Sequence, residues 1–444
     1  MCHNRDFPGF GTHIFFIMRD KQGLLALSPL MAFIGIYLAA SVASGDFYKI
    51  PISVAFLLAS IYAIGISSYK GKLQKSVELF GRGASKPNIM MMLWIFILAG
   101  AFANSAKAIG SVDATVNLML SILPSNMVLP GIFLATCFIS LSIGTSVGTI
   151  VALVPIATGL AESTGINLEF MTAIVVGGAF FGDNLSFISD TTIAATSSQG
   201  CSMKDKFRVN FFITLPAAIA VLAIYTFMGI DLHPTIGTHG TNYIKVIPYL
   251  AVLATAIMGL NVMLVLVVGI MLTAVIGLSV HTINMFEWFQ AIGDGIMGMG
   301  ELIIVTMLAG GMFEIVRSMG GIDYIISKIS SHIHGKRGAE AVIGLLVAVT
   351  DVCTANNTVS IISVGNIARK ISEKYGIDRR KTASLLDTCS CCMQGIIPYG
   401  AQMLMASGLA KLNPIGIIPY LYYPFALFLC VVAAIALRLP RRFS

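Results

Sequence analysis

Gly177-Gly-Ala-Phe-Phe-Gly-Asp-Asn-Leu-Ser-Phe-Ile-Ser-Asp-Thr-Thr192 lies in the middle of a hydrophobic segment running from about Leu168 to Thr196. That span is long enough to cross a bilayer, which needs ~20 apolar residues. Its centre nevertheless holds two carboxylates, Asp183 and Asp190, with Asn184, Ser186, Ser189 and Thr191 beside them. Gly177, Gly178 and Gly182 stand just before the acids, and glycine tolerates the backbone angles of an unwound turn, so the helix is expected to break there. Ionisable groups inside a membrane are costly and mark functional sites. An unwound helix lined with carboxylates and hydroxyls at mid-depth is how secondary transporters hold ions. The competing reading places both acids in a polar seam that only holds helices together.

Composition agrees with a membrane setting. The 444 residues are 56% hydrophobic and only 11% charged, against roughly 25% charged in soluble domains. The chain reads as an all-α polytopic membrane protein whose first partner is the lipid bilayer. A net charge of +7 does not indicate nucleic acid, because the basic residues fall in short loops where they set topology. Most of the eight cysteines lie in apolar segments, so no disulfide framework is expected. The Cys389-Ser-Cys-Cys392 spacing has no second pair or histidine nearby, and small soft residues at a helix contact explain it better than metal or redox chemistry. No nucleophile–base pair, H-E-x-x-H pattern or phosphate-binding glycine loop is present, so the chain is not expected to be an enzyme or to carry a cofactor. Residues 1–17 make a poor signal peptide, and Met18-Arg-Asp-Lys-Gln-Gly reads like a cytoplasmic start, an alternative to Met1.

The chain reads as two related halves. Leu98-Ala-Gly100 matches Leu308-Ala-Gly310, Gly110-Ser-Val-Asp113 matches Gly320-Gly-Ile-Asp323, and Gly165-Ile-Asn167 matches Gly376-Ile-Asp378, at an offset of 210 or 211 residues. Constant self-similarity is the mark of a repeat. Each half is expected to hold five transmembrane helices, with a re-entrant hairpin and a broken helix. Ser140-Leu-Ser-Ile-Gly-Thr-Ser-Val-Gly-Thr149 supplies the first hairpin tip, with Gly144, Thr145, Ser146 and Thr149. Asn356, Asn357 and Thr358 supply the second, and Gln394, Gly395 and Pro398 mark the second broken helix. Non-helical backbone at membrane depth survives only where protein or water satisfies it. The segments are 1–23, a cytoplasmic N-terminal piece; 24–229, the first repeat; 230–243, an external linker; 244–438, the second repeat; and 439–444, a cytoplasmic tail. With the N-terminus inside, every Lys and Arg except Lys49, Lys107, Lys245 and Lys411 falls on the cytoplasmic side. That bias is the positive-inside pattern. Five crossings per half then make the repeats inverted, with both termini cytoplasmic.

At Gly178-Ala-Phe-Phe-Gly-Asp-Asn-Leu-Ser-Phe-Ile-Ser-Asp-Thr-Thr192 the sequence resembles the NhaC-type sodium/proton antiporters. The likeness extends over nearly the whole chain from Met18 onward. The Gly-Asp-x-x-Ser-Pro-like core of that family reads Gly182-Asp-Asn-Leu-Ser186 here, followed by Ser189-Asp-Thr191. The resemblance implies an inverted-repeat ion transporter working by elevator or rocking alternating access in a bacterial plasma membrane, and a homodimer. It fixes a cation- or proton-coupled transporter better than it fixes the cargo, since the family also includes carriers of small carboxylates and amino acids.

The residues point the same way. A carboxylate in a low-dielectric site needs a cation or a proton to neutralise it, which is the chemistry of Na+/H+ exchange. Asp183 is the expected coupling carboxylate and Asp190 the second Na+ ligand or proton site, with oxygens from Asn184, Ser186, Ser189 and Thr191. Asp351, beside the second tip, is either a site member or a helix cap. Asp387 and Thr388 either line an exit path or meet water. A transporter coupling Na+ or H+ to an amino acid or small dicarboxylate is the alternative, favoured by the neutral Asn356, Asn357 and Gln394, groups suited to an organic molecule.

Overall fold

The computed structural model describes residues 10–44, 51–67, 73–122, 124–230, 243–330, 333 and 335–440. Residues 231–242 of the expected linker, Lys70, Lys72, His332, His334, the first nine residues and the tail beyond Pro440 lie outside them. All regular elements among the described residues are helical. In order they are α1 (Phe10–Ser44), α2 (Ile52–Ser67), α3 (Leu73–Ala84), α4 (Pro87–Ala108), α5 (Ser111–Ile122), α6 (Val128–Ile143), α7 (Ser146–Thr164), α8 (Leu168–Leu185), α9 (Asp190–Gln199), α10 (Met203–Gly229), α11 (Ile247–Ile257), α12 (Val262–Ser279), α13 (Met285–Gly298), α14 (Gly300–Ser318), α15 (Gly321–Ser330), α16 (Gly335–Thr354), α17 (Asn357–Tyr375), α18 (Arg379–Ile396), α19 (Ala401–Ala410), the single turn α20 (Pro414–Ile417) and α21 (Tyr422–Ala436). Among the described residues, seven helices are long and apolar enough to cross a membrane, or up to eight if Pro414–Tyr420 and Tyr422–Ala436, bent by 55°, form one span. α2, α5, α6 and Tyr243–Ile257 are shorter apolar helices.

Two compact units emerge, Met1–Ile89 with Met307–His332, and Met90–Thr306 with Ile333–Ser444. In the first, Phe33 of α1 stacks on Phe56 of α2 at 4.0 Å between ring centroids. Phe80 of the amphipathic α3 covers Gly311, and Lys86 forms an ion pair with Glu314. The second unit carries every candidate site residue.

Within the second unit, the spacing seen in the sequence recurs in the backbone. α7, α8 and α9 correspond to α17, α18 and α19 with both ends displaced by 211 residues. The turns repeat as well. Gly144 (φ 74°) and Ala355 (φ 50°) both take left-handed backbone, and Thr145 and Asn356, one residue on, are extended N-caps. Gly165 and Gly376 are left-handed C-caps of α7 and α17, the usual way a helix stops. α6–α7 and α16–α17 are thus two helical hairpins, each turned by one left-handed residue.

The first break does not fall at the glycines. α8 runs unbroken through Gly177, Gly178 and Gly182, and the chain leaves the helix only at Ser186, re-entering at Asp190. The glycines instead let α8 lie directly on α6. A Cβ at Gly178 would meet Thr136 and the Phe133 carbonyl, and one at Gly182 would meet Ser140 and the Leu141 amide. Small residues at such a contact are what membrane helices use to approach closely. The second break lies at Ile397–Gly400, after Gly395 and across Pro398.

Gly182→Ala and Gly178→Ala should each destabilise the protein by about 1–3 kcal/mol, the range for overpacking a tight core. Gly293→Ala, where an added Cβ meets nothing within 4 Å, should be neutral. Thermal unfolding of the three purified variants checks this.

Candidate ion site at the helix break

Asp183 sits in the last turn of α8 and is buried, at 4% exposure. Its Oδ1 accepts the Ser146 backbone N–H at 3.0 Å. Ser146 is the first residue of α7, so the carboxylate occupies the positive end of that helix. The Ser146 amide is thus met by the chain's own acid. The Ser146 hydroxyl accepts from Gln402 Nε2 (3.0 Å), Gln402 Oε1 accepts from Gln394 Nε2 (2.9 Å), and Gln394 Nε2 also donates to the Ala355 carbonyl (3.2 Å). A chain of polar contacts therefore joins the first hairpin tip, through the two arms of the second broken helix, to the second tip.

The break between α8 and α9 is stitched by hydroxyls. Ser189 caps α9 by accepting the Thr192 N–H (3.2 Å), and its hydroxyl also donates to the Asp183 carbonyl (3.0 Å). Thr192 Oγ1 donates to the Ser186 carbonyl (2.9 Å), and Ser186 Oγ accepts the Ile188 N–H (3.3 Å). Thr191 is buried beside Ser189, at 3.1 Å between hydroxyls. Asp190 is the exception among the candidates of this stretch, exposed on the first turn of α9. The Asn184 side chain turns away from Asp183, donating to the Phe180 carbonyl (2.9 Å) and the Tyr423 hydroxyl (3.2 Å).

Lys206 and Lys381 correct the sequence reading, which placed both among loop charges. Ser202 caps α10, so Lys206 falls on its first turn and faces inward. It forms an ion pair with Asp387 at 2.8 Å, with side chains 1% and 0% exposed. Its ammonium also donates to the Asn184 carbonyl (2.8 Å) and Thr192 Oγ1 (2.6 Å). Asn210, one turn further, donates to the same carbonyl and the same carboxylate at 2.8 Å each. Asp387 is therefore held in a buried ion pair and does not meet water. Thr388 spends its hydroxyl on the Ser384 carbonyl of its own helix (2.8 Å). Lys381 pairs with Glu340 at 3.3 Å, both fully buried, and donates to the Leu439 carbonyl at 2.7 Å. At the entrance to α18, hydrogen bonds from the Arg380 guanidinium hold the half-exposed Asp378 carboxyl below its ordinary range.

At the second tip, Asn356 caps α17 through the Val359 N–H (3.0 Å). Asn357 Oδ1 accepts the Thr358 N–H (3.0 Å), while its buried Nδ2 has no hydrogen-bond partner among the described residues. The same holds for Gln394 Oε1 and both oxygens of the fully buried Asp351. Thr145, whose backbone carbonyl receives the Thr149 hydroxyl (2.9 Å), is half-buried.

Lys206, Asn210, Gln402 and Tyr423 were not anticipated. Lys206, Asn210 and Thr214 recur every four residues, which puts them on one face of a helix, and that was the available signal. Gln402 is a lone amide in the apolar Ala401-Gln-Met-Leu-Met-Ala406. Tyr423 carries no distinguishing pattern.

The sequence profile of the Na+/H+ antiporter family matches residues 21–230 and 233–439. The chain belongs to the Na+/H+ antiporter family. It is an integral membrane protein, and its class is secondary active Na+/H+ antiport. Among its relatives, the malate-2H+/Na+-lactate antiporter of Bacillus subtilis is 21% identical, over 92% of this chain and 94% of that one. The Na+/H+ antiporter NhaC of the same organism is 23% identical over 87% and 91%. The arginine/ornithine antiporter ArcD of Halobacterium salinarum is 22% identical over 78% of each chain.

Gln402→Leu removes the link between Ser146 and Gln394. The expected loss is about 1–3 kcal/mol, the cost of leaving buried polar groups unpaired. Thermal unfolding measures it.

Proposed function

We propose that Asp183 is the coupling carboxylate of this antiporter, binding Na+ in one step and H+ in the other. A single contrast supports the reading. Of the two buried acids flanking the first break, Asp387 is neutralised by Lys206. Asp183 has no ion-pair partner among the described residues and meets only neutral donors. A carboxylate so placed has charge left for a cation or a proton. The Ser146 amide fixes its orientation, and Ser189 and Thr191 set hydroxyl oxygens around the break beside it. The exposed Asp190 joins this reading as an outer ligand that receives the ion on its way to Asp183.

Exchange at one acid requires access from alternate sides. We read the two 211-residue-related sets of helices as inverted repeats that supply this access, in a bacterial plasma membrane with cytoplasmic termini and as a homodimer. A second reading has a specific observation behind it. The unpaired amide atoms of Asn357 and Gln394 are neutral and buried, which suits an organic carboxylate or amino acid. Two relatives bear the names of such exchangers. In that case Na+ or H+ at Asp183 drives the organic cargo.

Proton flux in proteoliposomes after a Na+ pulse tests the assignment. Wild type is expected to move protons, and Asp183→Asn to insert normally but show no flux above empty vesicles; a mutant with wild-type exchange would sink the site. Thr145→Val and Asn357→Leu should each raise the apparent cation or substrate constant by about 3–10-fold, the effect of one lost hydrogen bond. If neither shifts it, the tips are outside the site. No response to Na+, Li+ or K+ would move the assignment to the organic-cargo reading, tested in the same vesicles with amino acids and small dicarboxylates.

A further inference from the structure

The surroundings of Lys206 have the chemistry of a cation site. Its ammonium meets a carbonyl (Asn184, 2.8 Å), a hydroxyl (Thr192, 2.6 Å) and a carboxylate oxygen (Asp387 Oδ2, 2.8 Å). An ammonium has three N–H donors, and all are engaged. The Asn184 carbonyl is one of the last four of α8, which a helix end leaves without an intrahelical donor, and the C-terminal end of a helix favours positive charge. Two further buried oxygens, on the side chains of Asn210 and Asp387 that meet here, accept no hydrogen bond among the described residues: Asn210 Oδ1 and Asp387 Oδ1. Acceptors left over in a buried cluster call for positive charge, not for another acceptor. Carbonyl oxygens freed by an unwound helix are what transporters use to hold Na+.

We propose that this oxygen cage is a second monovalent-cation site, occupied by the chain's own ammonium. Lys206 is a tethered cation standing where a free Na+ would otherwise sit. It is a positioning residue that holds the α8–α9 break against α18 without recruiting an ion. The exchange cycle then carries only the ion at Asp183, and removing the ammonium adds a second Na+ requirement. The cage does not depend on Asp183 being the coupling carboxylate, and the test separates the two.

The experiment is thermal unfolding of the full-length purified protein in NaCl against choline chloride of equal ionic strength. Lys206→Ala is expected to unfold early in choline and to recover strongly in Na+, with a larger Na+-induced shift than wild type. The added shift should persist in Lys206→Ala/Asp183→Asn, which removes the proposed coupling site. It should vanish in Lys206→Ala/Asp387→Asn, which removes the cage's charge. A Lys206→Ala protein that responds to Na+ no more than wild type, that folds in neither salt, or whose response survives Asp387→Asn overturns the proposal. A wild-type Na+ shift unchanged by Asp183→Asn would count against the Asp183 assignment alone.

Discussion

A helix that stops inside a membrane exposes carbonyls that no water can reach, and something must meet them. Here the carbonyl at the end of α8 is met by an ammonium and an amide from α10, and those same donors hold the carboxylate of α18. The rest of the site follows from that arrangement. Because α8 ends where it does, Asp183 lies in its last turn, opposite the start of α7. Lys206 is committed to Asp387, and among the described residues the neighbouring Asp183 has no ion-pair partner. Removing one member of a buried pair of this kind typically costs ~3–5 kcal/mol, since it strands the other charge.

Tight packing and polar stitching divide the work. The α6–α8 contact is close, built on Gly178 and Gly182 against Thr136 and Ser140, with the Ser140 hydroxyl donating to the Ala179 carbonyl at 2.6 Å. The contacts between tips and breaks run instead through amides and hydroxyls: Ser146, Gln402 and Gln394. Close-packed faces resist sliding, whereas exchangeable hydrogen bonds can be remade at little net cost. The first hairpin's leading arm and the broken helix are thereby joined firmly, while the two tips are linked through side-chain hydrogen bonds.

Much of this was legible in the sequence, and the reasons for the gaps are physical. Hydropathy and self-similarity revealed the helical membrane character and the related segments, because span length and repeat spacing are one-dimensional properties. Asp183 stood out because an acid in an apolar stretch has few cheap explanations. The glycines misled: glycine permits unwinding and close approach equally, and only the neighbouring helix decides which. Lys206 and Lys381 were hidden because a basic residue near the end of an apolar segment looks the same whether it meets water or a carboxylate. Their partners, Asp387 and Glu340, lie 181 residues further along and 41 residues back, respectively. Asp190 stands close to Asp183 in sequence but is exposed where Asp183 is buried, a difference that sequence proximity does not show.

The two breaks differ in how they are made. Pro398 builds the second into the covalent chain: proline has no backbone N–H, so a continuous helix through it lacks a hydrogen bond whatever its neighbours do. The first, from Ser186 to Ser189, contains no proline. It exists because capping hydroxyls and the Lys206 ammonium make the open form worth keeping. Two segments of matching helix length and spacing are thus interrupted by different means, one by the covalent chain and the other by side chains that meet it.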